Sequence, residues 1–284
     1  MGSAVELARA RRRLITALET ECAATLLRFF NGIEETTKSY PATVSSFRLD
    51  RYEVTVGRFR AFVSSYAAPA KGAGAHPLIP DSGWKAGWPI AETAVTLRAR
   101  LSDVKACDVG DARYRSTWTE ESGPNEHLPI TCVTWYEIFA FCAWDEGRLP
   151  TQAEWIYAGS GGGEQRVYPW SSPPTSVAVD SSRAVYNDFS GLGLLLPEFV
   201  GSRPKGLGRW GTADLGGNVA EWVVDKYVDD PPRACVDCAV LPNGDEARAV
   251  HGGSFVSQAD TMRAAWRDPH GTRRTPWVSG RCAR

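Results

Sequence analysis

The chain has 284 residues, 43% of them hydrophobic and 23% charged, and its 32 Lys and Arg against 33 Asp and Glu leave a formal charge of −1. That length can bury a sizeable core in one large domain or two small ones, the composition excludes a disordered chain, and the balanced charge excludes a nucleic-acid binder working by general attraction to phosphate. No stretch reaches the ~18–20 uninterrupted apolar residues of a membrane span, and 27 Gly, 18 Pro and 11 Trp speak for turns, long loops and bulky flat core side chains rather than a helical bundle.

Residues 3–30 read as one amphipathic helix. Ser3 and Glu6 fit a capping box; Leu7, Leu14, Leu18, Cys22, Leu26 and Phe29 recur at helical steps; Asn31-Gly32 supplies a stop. Arg9, Arg11, Arg12 and Arg13 look like the start of a signal peptide, but Glu19 and Glu21 break the apolar run that should follow. A solvated helical face or leader is the plain reading, and a helix lying on a membrane surface is the other. Residues 1–43 are therefore set apart from a body at 44–284.

In the body, Phe47 to Tyr52 alternates like a strand, and Thr55 caps a short helix with Phe59, Phe62 and Val63 on one face. Residues 67–130 are rich in Gly, Pro, Ala and Trp with little periodicity, too long for an inert loop, so they are expected to pack on the core. Thr134 with Glu137, and Thr151 with Glu154, make two capping boxes. The first opens a helix with Trp135, Ile138, Phe139 and Cys142 inward and Gly147 as its stop; the second turns Trp155 inward and stops at Gly159. Beyond Gly161 only short strands and turns are expected: Tyr168-Pro-Trp, 211–222, 249–255 and 280–284. The fold class is α+β, with few short helices, short strands and long loops.

Of seven cysteines, Cys22 lies in the leading segment and six in the body. An even set in a loop-rich body points to disulfides and an oxidising compartment, while the absence of a clear signal peptide points the other way; the compartment stays open. Cys235-Val-Asp-Cys238 fits a local disulfide, free thiols, or a metal or redox pair, in that order. A zinc site would want a second pair or nearby His, and the flanking residues are loop sequences.

Several segments in this order resemble the formylglycine-generating enzyme (sulfatase-modifying factor) family: Leu49-Asp-Arg-Tyr-Glu-Val-Thr55, Leu128-Pro-Ile-Thr-Cys-Val-Thr-Trp135, Gly147-Arg-Leu-Pro-Thr-Gln-Ala-Glu-Trp155, Tyr168-Pro-Trp170, Asp214-Leu-Gly-Gly-Asn-Val-Ala-Glu-Trp222, Gly252-Gly-Ser-Phe255 and Gly280-Arg-Cys282. The resemblance covers about residues 46–284 and implies a variant of the C-type lectin fold. The family holds copper-dependent oxidases that turn a sulfatase cysteine into formylglycine, iron-dependent sulfoxide synthases, pyoverdine-maturing enzymes and lectin-like binding proteins, so membership does not fix the chemistry.

The copper oxidases hold Cu(I) with two thiolates just after Gly-Gly-Ser. Ser257 and Met262 stand at those positions here; a hydroxyl and a thioether do not replace two soft thiolates, so copper is not expected. The family's usual Arg before Gly-Gly-Ser is His251. The synthases' H-x3-H-x-E iron pattern is missing, and His76, His127, His251 and His270 are scattered; iron would need a site assembled from distant loops. Calcium is the better metal candidate. The resemblance implies a site from the side chains of Asp214 and Glu221 and the carbonyls of Gly217 and Val219, with a doubtful second site near Asn187. The plain alternative is an acid-lined turn without metal. The resemblance also implies a Cys142–Cys282 disulfide, which leaves Cys107 and Cys132 to pair.

The stretch 257–279 carries Trp266, Arg267, His270, Arg273, Arg274 and Trp277, residue types that often anchor recognition. With His251 and Ser254 they form the expected binding face for a peptide, glycan or small-molecule ligand. The plain alternative is a solvated basic loop with its Trp packed inward. The leading expectation is a calcium-stabilised binding domain without the copper pair. The rival is an oxidoreductase with a metal site from His251, His270 and nearby carboxylates.

Overall fold

The computed structural model describes residues 15–18, 25–31, 34–107, 110, 114–188, 196–232 and 234–284. Strands β1 (Ile15–Leu18), β2 (Thr25–Asn31), β3 (Glu34–Thr43) and β4 (Phe47–Asp50) come first, followed by helices α1 (Val56–Ser64), α2 (Ala94–Ser102), α3 (Trp135–Trp144) and α4 (Gln152–Ser160). Strands β5 (Ala220–Lys226), β6 (Cys235–Val236), β7 (Arg248–His251), β8 (Asp268–His270) and β9 (Val278–Ser279) close the chain.

The expected leading helix is corrected by this order. Within its span, Ile15–Leu18 and Thr25–Asn31 are strands, and the rest of 3–30 lies outside the described residues. Short apolar runs satisfy both periods, and long-range pairing decides between them. Here β1 pairs antiparallel with β4, and β2 with β3, where Asn31 meets Glu34. Strand β3 ends at Thr43 and pairs in parallel with β6, Ala42 against Cys235 and Thr43 against Val236.

The caps expected at Thr55, Thr134 and Thr151 form, while Ser3 and Glu6 lie outside the described residues. Thr134 accepts from Glu137 N and Thr151 from Glu154 N, and each glutamate returns a bond to its cap residue. Thr55 accepts from Arg58 N. Trp135, Ile138, Phe139 and Cys142 are buried, as are Phe59, Phe62 and Val63. The stops differ. The first of these helices ends at Asp145. Gly159 lies inside α4 beneath Trp155, and Gly161, at φ 68°, ends that helix in the left-handed region. The long 67–130 stretch does pack on the core, through Trp84, Leu97, Leu101 and Trp118.

The central sheet has the order β8-β7-β5-β9, with β9 parallel to β5 and the other neighbours antiparallel. The two capped helices are fastened to β5 by their tryptophans: Trp135 Nε1 donates to Val223 O at 2.8 Å and Trp155 Nε1 to Glu221 Oε2 at 2.8 Å. The carboxyl-terminal residues run between β4 and residue 148, with Arg48 and Arg284 exchanging backbone bonds and Ala283 doing the same with Arg148. This brings Cys282 onto α3. Among the described residues no helix is long and apolar enough to cross a membrane.

Candidate functional site

Residues 214–219 form a turn that leads into β5, which carries Glu221 as its second residue. Asp214 and Asn218 hold φ of 57° and 61°, and Gly217 holds 87°. A Cβ on Gly217 would stand 2.6 Å from Val185 O, so the chain passes where only glycine fits. The Glu221 carboxylate is already engaged. Glu221 Oε1 accepts from Arg281 Nη2 at 2.6 Å, and Oε2 accepts from Arg281 Nε at 2.7 Å and from Trp155 Nε1. Arg281 gives its remaining N–H groups to the carbonyls of Asp50, Arg51 and Ala213, so all five donors of a wholly buried guanidinium are satisfied.

Two more carboxyls face this pair. Glu53 accepts from Asn218 Nδ2 at 2.7 Å and from Val219 N at 3.2 Å, and Asp214 Oδ2 accepts from Gly201 N at 2.6 Å. Burial holds the Glu53 carboxyl well above its ordinary range, with Asp214 and Glu221 adding to the shift; burial raises Asp214 as well. The residues expected to hold calcium are thus gathered, but Glu221 would have to leave Arg281 to serve as a ligand. Among the described residues no group of three or more His, Cys, Asp or Glu stands ready for a metal ion. In this arrangement Arg281 occupies both oxygens of the Glu221 carboxylate. Glu53, Asn218 and Arg281 received no role from sequence. For Asn218 and Arg281 a signal was available: each sits in a glycine-bearing motif, where an amide or charged group calls for a partner; Glu53, beside Asp50 and Arg51, gave none.

The loop after β7 carries the positions of the copper pair. Ser257 Oγ accepts from Ser254 N at 3.0 Å and lies 3.0 Å from Ser254 Oγ, and its carbonyl accepts from Asn187 N. Met262 is fully buried and clusters with Tyr168, Trp170 and Ala184. Tyr168 and Trp170 are stacked rings 5.1 Å apart in a turn. So the serine closes a local turn and the thioether fills a core. Asn187 lies beside this loop.

His251 and His270 do not share a site. His251 pairs with Glu221 across the sheet, and its ring stacks on Trp155 at 4.8 Å. Its Nδ1 bonds Trp266 O at 2.8 Å, and burial pushes its pKa down to about 3, which keeps the ring neutral. His270 lies opposite Arg248, three positions along β7 from His251, or about 10 Å away at ~3.3 Å per residue. Its ring meets the edge of Trp222 at 4.9 Å. Strand register thus sets the two histidines on different rungs of the sheet, and among the described residues no group of three or more His, Cys, Asp or Glu joins them.

The expected binding face splits in two. Arg267 is buried over the Tyr227 ring at 4.7 Å and donates to the Val228 and Asp229 carbonyls. Arg274 is ion-paired to Glu137 and donates to Cys132 O. His251 and Ser254 are also buried. These arginines satisfy loop carbonyls that a sheet would otherwise pair. Arg273 is exposed, and Trp266, His270 and Trp277 are half-buried. Trp277 stands edge-on to Tyr114 at 5.7 Å, and Trp266 Nε1 donates to Asp268 at 2.7 Å.

All six body cysteines are bridged, as Cys107–Cys132, Cys142–Cys282 and Cys235–Cys238; Cys22 lies outside the described residues.

The base of the CxxC loop carries a titration. Asp225 is buried and accepts from Gln152 N and Val240 N, both at 2.7–2.8 Å. Burial, with Glu154 adding, pushes its pKa from 3.8 to about 7. The unfolded chain ionises at this position first. Below pH 4 the group costs nothing, and from pH 4 to 7 the folded state loses stability as pH rises. Asp225→Asn should flatten this decline. Urea melts from pH 4 to 8 check it, and an unchanged slope counts against the assignment.

A family model described as the sulfatase-modifying factor enzyme 1-like domain matches residues 12–284. The chain belongs to this family. Its members include a mouse protein named inactive C-alpha-formylglycine-generating enzyme 2, 27% identical over 228 residues, 77% of this chain and 66% of that protein. The hercynine oxygenase of Mycolicibacterium thermoresistibile is 27% identical over 84% of this chain and 51% of its own length. The formylglycine-generating enzyme of Thermomonospora curvata is 27% identical over 75% of this chain and 72% of its own. The matches thus span from about half to under three quarters of these relatives. Among solved structures, PvdO from Pseudomonas aeruginosa superimposes with a TM-score of 0.62 at 21% identity, covering 92% of this chain and 91% of that one. Treponema denticola variable protein 1 gives 0.60 at 18%, covering 95% and 94%. The fold is that of the formylglycine-generating enzymes, as the motifs implied.

Proposed function

We propose that this domain has lost the copper oxidase chemistry of its family and serves as a ligand- or peptide-binding protein. One observation carries the reading. At the two positions where the oxidases place thiolates, Ser257 is tied into a turn with Ser254 and Met262 is sealed against Tyr168 and Trp170. Neither supplies a thiolate, and Cu(I) needs soft sulfur. A family member named as inactive agrees with such a loss. The recognition surface is the half-exposed part of the closing stretch: Trp266, His270, Arg273 and Trp277 beside Tyr114.

The purified chain, given a sulfatase-derived cysteinyl peptide, cuprous ion and oxygen, should form no aldehyde. Catalytic turnover would overturn the reading. Peptide-library and glycan-array screens should return a ligand whose affinity falls about tenfold or more in Arg273→Ala or Trp277→Ala, as when an interface anchor is truncated. A ligand indifferent to both would move the surface elsewhere.

A further inference from the structure

The three bridges do different work. Cys142–Cys282 spans 140 residues and both its cysteines are fully buried; Cys107–Cys132 spans 25, at 6% and 2% exposure. Cys235–Cys238 spans only 3 and joins the two ends of its own turn. Closing so short a loop restrains the unfolded chain least. The turn is also held without it. Asp237 accepts from Ser45 N and Ser45 Oγ at 2.6 Å each, β6 pairs with β3, and Asp225 holds Val240 N at the base. Access differs as well. Val236, between the two cysteines, is 73% exposed, and Cys238 is half-buried.

The geometry points to Cys235–Cys238 as a thiol–disulfide exchange site, opened and closed by small dithiols while the other two bridges stay intact. Exchange requires a thiolate to reach a sulfur, and Cys238 is the most open of the six bridged cysteines. A thiolate of the external dithiol attacks Cys238 Sγ. The protein S–S bond breaks, and Cys235 leaves as a thiolate and takes up a proton. The second thiol of the dithiol gives up its proton and attacks its neighbour's sulfur in the mixed disulfide. Cys238 is released as a thiolate and protonated in turn. Two electrons pass to the protein, and the dithiol leaves as a disulfide. Because the Asp237–Ser45 bonds and the β3–β6 pairing do not depend on the bridge, the two thiols stay close enough for the reverse reaction.

The test uses the full oxidised chain in graded ratios of reduced to oxidised dithiothreitol, quenched with iodoacetamide and mapped by mass spectrometry, with Cys22 read as its own peptide. Cys235 and Cys238 should take label at about tenfold lower reductant than Cys132 and Cys142, the order that access sets, with the circular dichroism unchanged. In Cys235→Ala/Cys238→Ala, the melting temperature should stay close to that of the parent, and dithiothreitol-driven reduction of oxidised glutathione should slow to the background rate. Labelling of all three pairs together, no labelling of Cys235 and Cys238 short of unfolding, or an exchange rate equal in parent and variant would each overturn the assignment.

Discussion

Arg281→Met should lower the stability of this domain by about 3–5 kcal/mol, the cost of leaving a buried charge without its partner. The guanidinium makes two bonds to Glu221 and three to carbonyls far from it in sequence, at Asp50, Arg51 and Ala213. Methionine fills a similar volume and restores none of them. The Glu221 carboxylate then keeps only Trp155, with Glu53 and Asp214 nearby. Adding Glu221→Gln removes the stranded charge and should recover roughly half the loss, since partners in one ion pair are strongly coupled. Urea denaturation of the single and double variants measures both numbers. A single variant within about 1 kcal/mol of the parent would refute the role. The same melts in EGTA and in calcium test the acidic turn. With Glu221 already neutralised by Arg281, calcium should add little, whereas a clear rise in melting temperature would mean that the ion displaces the arginine.

Breaking the Cys142–Cys282 bridge should have an effect of similar size. It closes a separation of 140 residues, for which the chain-entropy relation gives about 5 kcal/mol. Cys142→Ala/Cys282→Ala therefore should melt well below the parent. Cys107→Ala/Cys132→Ala, with a separation of 25, should lose about 3.5 kcal/mol by the same relation. Calorimetry on the two variants checks the order. If the shorter bridge matters more, local strain or packing outweighs chain entropy.

Two spatial relations were hidden from the sequence for one reason. Glu221 and Arg281 stood in separate motifs, 60 residues apart, and each motif was informative by itself. Nothing in either segment says that β5 and β9 lie side by side, which is what brings the two side chains together. The spacing of His251 and His270 was hidden likewise. Both histidines belong to neighbouring strands, and only the register, Arg248 opposite His270, sets them apart. The amino-terminal helix was lost because residues 15–18 and 25–31 found strand partners elsewhere in the chain.

The sequence alone determined whatever depends on neighbours within a few residues. The capping boxes at Thr134 and Thr151, the inward faces of their helices, and the substitution of Ser257 and Met262 for two thiols were all legible, because a side chain's chemistry and its reach to a backbone amide three residues away are local. Tertiary structure decided which charges meet. It turned Arg267 and Arg274 from expected ligand contacts into partners of loop carbonyls and of Glu137, and it gave Glu221 a guanidinium partner. Such pairings are set by long-range strand order and by the need to satisfy every buried polar group, and neither is written within any one segment of the chain.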